Sequence, residues 1–110
     1  MKFTDNPKRK VYNVDLDGTL TNGEKFWEGV PTVNKEMKKK VRELYADGNI
    51  IIIWTGRQWE MANETVGWLI TNKIPFHGIF MGKGGSDCYI DDRAIRPAEI
   101  LDNDRSCYET

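Results

Sequence analysis

A chain of 110 residues, 39% hydrophobic and 30% charged, has room for one domain with a modest core. Its formal net charge of −1 gives no general case for a nucleic-acid partner, and no stretch approaches the roughly 20 apolar residues of a membrane span. Met1 to Lys10 lacks the apolar centre of a signal peptide, and two cysteines, Cys88 and Cys107, do not make a disulfide framework; the expectation is a cytoplasmic protein with free thiols.

Residues 1–9 read as a flexible lead-in and 103–110 as a flexible tail, around a single domain. The first strand is expected at about 10–16, where Val11-Tyr12-Asn13-Val14 runs into Asp15-Leu16-Asp17. Gly18 stops it by allowing a turn with positive φ. Strand alternation puts Asp15 and Asp17 on one side and Leu16 on the other. Residues 18–32, with three glycines and a proline, read as irregular structure. Val33, Met37, Val41, Leu44 and Tyr45 recur at helical spacing and predict a helix over 33–47, ended by Asp47-Gly48-Asn49. Lys38-Lys39-Lys40 is its solvated face.

The isoleucine run 50–53 is what a strand buried on both faces looks like, so strand two is set at 50–54. A helix follows over about 58–72, with Met61, Thr65, Trp68 and Leu69 on one side. Strand three is expected at 78–81 and strand four at 88–91, and Arg96-Pro97 opens a short helix. Strand–helix–strand–helix–strand implies an α/β fold: a three-layer, Rossmann-like, mostly parallel sheet with helices on both faces. One spacing fits badly. Only six residues separate Met81 from Cys88, and a parallel crossover usually needs about a dozen. Gly82, Gly84 and Gly85 make this link flexible, so the position of Lys83 is left open.

Two carboxylates at the carboxyl end of a buried strand sit where open α/β sheets bind ligands. They repel unless a cation or proton lies between them. The expectation is a divalent-metal site with one carboxylate able to attack or to move protons. Thr55 and Gly56, where strand two gives way to a helix, are placed to offer a hydroxyl and an N–H to an anion. Arg57 is a candidate for a second anionic group on a substrate. His77 reads as a packed or surface residue, and Trp54, Trp59 and Trp68 as packing groups.

Asp15-Leu16-Asp17-Gly18-Thr19-Leu20 resembles the first motif of the haloacid-dehalogenase superfamily of aspartate-nucleophile phosphotransferases. Three more segments follow in order. Ile50 to Thr55 is a strand ending in a hydroxyl, like the second motif. Lys83 is placed like the cation of the third. Tyr89-Ile90-Asp91-Asp92 is like the acidic fourth. The stretch 89–99 is similar to small capless members found with capsule-polysaccharide genes and in phages. The resemblance implies Asp15 as nucleophile through an aspartyl-phosphate, Asp17 as general acid and then base, and Lys83 as neutralising cation. It implies Mg²⁺ held by the Asp15 carboxylate, the Asp17 backbone carbonyl and a carboxylate from Asp91, with Asp92 binding directly or through water. It also implies a flap after the first motif, which makes Phe26 and Trp27 candidates for substrate contact.

Neither inter-motif gap has room for a cap domain. An open site implies a large substrate, a lid supplied by a partner subunit such as a second copy, or promiscuity toward small phosphates. The leading reading is a Mg²⁺-dependent phosphomonoester hydrolase, with a sugar phosphate as the substrate implied by residues 89–99. The alternatives are a nucleotide or polynucleotide-end phosphatase, suggested by Thr55-Gly56-Arg57 with Thr65 and Trp68-Leu69 downstream, and a non-catalytic phosphate-binding module.

Overall fold

The computed structural model describes residues 9–84 and 87–102. The expected tail lies outside these, as does the lead-in apart from Arg9. Three parallel strands form the sheet in the order β1 (Val11–Asp15), β2 (Ile50–Trp54), β3 (Gly78–Phe80). Val11 pairs with Ile50 and Asp15 with Trp54, and Ile52 to Trp54 pair with Gly78 to Phe80. The carboxyl ends of all three strands therefore lie at one edge of the sheet, with Asp15 and Thr55 emerging side by side.

The helices form where periodicity and caps agree. Helix α1 (Lys35–Ala46) starts at Asn34, whose side chain accepts from the Met37 N–H, one residue after Val33 is diverted into a bridge with Thr21. It ends as expected: Gly48 has φ +94° and its N–H donates to the Tyr45 carbonyl. Gln58 precedes a 3-10 turn, Trp59–Met61, and only then does α2 (Ala62–Thr71) begin. Pro97 opens the short α3 (Pro97–Leu101), whose proline needs no N–H there.

Ile51 and Ile53 share one side of β2 and pack with Val14, Leu16, Met37, Val41, Trp68 and Leu69. Thus α1 and α2 are held by the same strand residues. The opposite side carries Trp54 stacked on Phe80, at a centroid distance of 4.9 Å. The architecture is Rossmann-like α/β, and the described residues form no separate cap.

The expected fourth strand is the main departure. Residues 87–91 are irregular and exposed, with Ile90 at 97% exposure. Cys88-Tyr89-Ile90 offers only a short apolar run, and the glycine-rich link ahead of it is too short for a covering helix. The chain therefore follows the local turn preference of Asp91, whose carboxylate accepts from the Arg93 N–H at 2.8 Å.

Candidate active site

Asp15 is the last residue of β1, and its carboxylate is held from two sides. Lys83 Nζ lies 2.7 Å from Oδ1, and the Thr19 hydroxyl donates to Oδ2 at 3.0 Å. Thr19 is presented by the turn that Gly18 makes possible at φ +83°. The N–H groups of Thr19, Leu20 and Thr21 all point back to the Leu16 carbonyl, and Leu16 and Leu20 are fully buried. The loop is thus anchored from below and presents its polar atoms above.

Lys83 reaches Asp15 without a helix. Thr55 N–H donates to the Phe80 carbonyl, Gly82 N–H to the Arg57 carbonyl, and Lys83 N–H returns to the Thr55 carbonyl. Gly82 turns the chain back at φ +79°. A Cβ on Gly56 would come within 3.4 Å of the Lys83 carbonyl, so the two loops lie against each other. This settles the position that the short link had left open: Lys83 meets the candidate nucleophile.

Asp17 meets Arg57. The guanidinium binds it through two parallel bonds, Nε to Oδ2 at 2.9 Å and Nη2 to Oδ1 at 2.8 Å. Its Nη1 donates to the Thr65 hydroxyl, and the Phe26 ring lies 4.3 Å from Cζ. The Arg57 side chain is 4% exposed and that of Asp17 is 31% exposed. Arg57 was expected to hold a second anionic group on the substrate; here its charge is matched by Asp17 inside the protein. Thr65 and Phe26 were read as helix face and flap residues. Their signal was faint: a hydroxyl on the inward face of α2, eight positions after Arg57.

Thr55 is 1% exposed, and its hydroxyl accepts from the Arg57 N–H at 3.1 Å. That oxygen can still donate its proton. Gly56 is exposed beside it, but α2 starts farther along than expected, so Gly56 belongs to a turn and not to a helix N-terminus.

The flap is a stapled loop. Thr21 bridges Val33, Asn22 N–H donates to the Thr32 carbonyl, and Trp68 Nε1 donates to the Pro31 carbonyl at 2.8 Å. Glu24 accepts from the Thr32 hydroxyl and N–H, and the hydroxyl bond above all holds its carboxyl below the usual carboxylate range. Phe26 sits edge-on to Trp27, which is 68% exposed.

The metal ligands expected from Asp15, Asp91 and Asp92 do not gather into one side-chain cluster. Asp91 and Asp92 lie on the exposed turn after residue 90, and no group of three His, Cys, Asp or Glu side chains gathers among the described residues. The Asp15 carboxylate and the Asp17 backbone carbonyl are nevertheless a donor pair made only of oxygen. That suits Mg²⁺, which keeps several waters and binds through one or two carboxylates and substrate phosphate.

A parallel α/β sheet with a lysine-paired carboxylate and an arginine-paired carboxylate at its carboxyl edge defines a Rossmann-like protein. The family follows from the sequence: residues 12–102 match the model of the haloacid dehalogenase-like hydrolases, and the chain belongs to that family. No curated protein matches the chain. A structural-genomics target from Vibrio cholerae is similar, with 30% identity and a TM-score of 0.70, over 84% of this chain and 87% of that one. A chain of the Pnkp1/Rnl/Hen1 complex shares the fold at 23% identity and a TM-score of 0.60, over 89% of this chain but 35% of that longer one.

Proposed function

We propose that the protein is a Mg²⁺-dependent phosphomonoester hydrolase working through an aspartyl-phosphate on Asp15. The observation that carries the reading is the Lys83–Asp15 contact at 2.7 Å, at the end of a parallel strand and two residues before a second carboxylate. A lysine there orients the nucleophile in the resting enzyme and neutralises the phosphoryl oxygens as they arrive.

In the first half-reaction an Asp15 oxygen forms a bond to phosphorus while the ester P–O bond breaks. The leaving oxygen takes a proton from Asp17. In the second, water attacks the phosphorus of the acyl phosphate, Asp17 takes its proton, and Asp15 and phosphate are released. The Thr55 hydroxyl and Gly56 N–H are donors for the non-bridging oxygens. In this arrangement both Asp17 oxygens accept from Arg57. Mg²⁺, when bound, would add positive charge to the transferring group. Its ligands would be the Asp15 carboxylate and the Asp17 carbonyl, with Asp91 or Asp92 as a third.

The test is phosphate release from an aryl phosphate by wild type, Asp15→Asn and Lys83→Met, each with Mg²⁺ or chelator. Activity in the wild type with Mg²⁺ alone is the expected result. Activity surviving Asp15→Asn would remove Asp15 as nucleophile. A sugar phosphate is the substrate implied by residues 89–99.

A further inference from the structure

Lys83 is carried by neither a helix nor a strand. It follows Gly82 and precedes Gly84 and Gly85, and a lysine on such a link has a long, flexible stem to hold in place. Its side chain is nevertheless only 16% exposed, against 40% for the Asp15 side chain it binds. Two neighbours confine it. A Cβ on Gly56 would lie 4.0 Å from Lys83 Cγ, so the stem runs past Gly56. At the other end Nζ lies over the Tyr89 ring, 5.5 Å from its centroid. The Tyr89 hydroxyl donates to the carbonyl of Gly84, the residue after Lys83. The ring is thereby tethered to the same turn that carries the lysine.

We propose that Tyr89 is a positioning residue for Lys83: its ring holds the ammonium at Asp15, and its hydroxyl fixes the ring to the turn. The effect on turnover rests on the phosphomonoesterase reading; the contact itself does not. Core packing does not account for Tyr89, which is 56% exposed and stands outside the buried cluster. The chemistry suits the task. A ring face attracts an ammonium through its quadrupole, yet it draws off none of the three N–H donors as a carboxylate would. One donor goes to Asp15 Oδ1, and the ring leaves the others for the oxygens of an arriving phosphoryl group. Tyr89 acts through Lys83, whose ammonium is the group that touches Asp15.

Turnover of an aryl phosphate with Mg²⁺ gives the first arm. Tyr89→Leu keeps an apolar side chain but loses the ring, and kcat should fall about two- to fivefold, with KM changed less; that is the factor one exposed ammonium–ring contact supplies. Tyr89→Phe keeps the ring and loses only the tether, so it should lie between wild type and Tyr89→Leu. Ile90→Ala alters the adjoining side chain, 97% exposed, and should leave kcat unchanged. The deciding comparison is made in Lys83→Met, where adding Tyr89→Leu should cost nothing further. The same loss in that background, or an unchanged kcat in Tyr89→Leu alone, would overturn the proposal.

A second arm, by NMR, needs no turnover. In the resting protein the Lys83 methylene protons next to Nζ should resonate upfield of those of exposed lysines, because the head of the side chain lies over the ring. Tyr89→Leu should abolish that displacement, and Ile90→Ala should preserve it. The displacement in a wild type that releases no phosphate would support the contact and sink the hydrolase reading instead. Lys83 protons at the ordinary lysine position in the wild type would overturn the proposal whatever the activity.

Discussion

Removing either member of the Asp17–Arg57 pair strands a charge, but the two strandings differ. Asp17→Ala leaves a guanidinium on a side chain only 4% exposed, with Thr65 and the Phe26 ring as its remaining partners. Breaking a buried pair in this way costs about 3–5 kcal/mol, and the partial exposure of Asp17 places this one near 3. Arg57→Met leaves a carboxylate whose side chain is 31% exposed and that water can reach, while methionine refills much of the volume. That cost is about 1–2 kcal/mol. The double variant removes both charges, so it should lie below the sum of the singles by about 1–3 kcal/mol. Urea unfolding followed by tryptophan fluorescence, with chelator present to exclude metal linkage, measures all four proteins. An Asp17→Ala no more damaging than Arg57→Met, or an additive cycle, would refute the view that Arg57 is a buried charge answered by Asp17.

Gly82→Ala puts a Cβ on a residue at φ +79°, a strain of about 1–2 kcal/mol that the turn can relieve by moving Lys83 away from Asp15; turnover should fall several-fold more than stability does. The His77 ring accepts from the Ile51 N–H at 3.0 Å while the His77 backbone N–H donates to the Ile51 carbonyl, so His77 continues the pairing along β2. His77→Phe should cost about 1 kcal/mol in urea unfolding, since an amide on the central strand loses its acceptor. Lys73 holds φ +57° just past α2, and Lys73→Gly should raise stability by about 0.5 kcal/mol, read as a higher unfolding midpoint at unchanged slope. Glu24 titrates below its usual 4.5, so its clamp on Thr32 is intact above that value and is lost as pH falls through the lower folded-state value. The protection of the Thr32 amide, taken relative to its intrinsic exchange rate at each pH, should then fall at acid pH in the wild type, and Glu24→Gln should remove that acid step.

Much of the chain was readable from local pattern. The β1 run, the isoleucine strand, the helical faces around Val41 and Leu69 and the glycine stop at Gly48 each depend on neighbours in sequence. Spacing and side-chain chemistry suffice for such features. The same holds for Asp15 and Asp17, because alternation in a strand and a glycine after it leave little choice about where they emerge. Tertiary structure decided what those carboxylates touch. Lys83 lies 68 positions from Asp15, and Arg57 lies 40 positions from Asp17. Pairings at that range depend on where a loop turns back, and here Gly82 and the Thr55–Lys83 bond set it. Segment 87–91 shows the opposite case. Its composition allowed a strand, but a strand exists only against a partner edge, and the link before it is too short to bury it there under a helix. Asp91 and Asp92 consequently follow a local turn, since the force that would carry them to Asp15 is long-range pairing that no residue among them encodes alone.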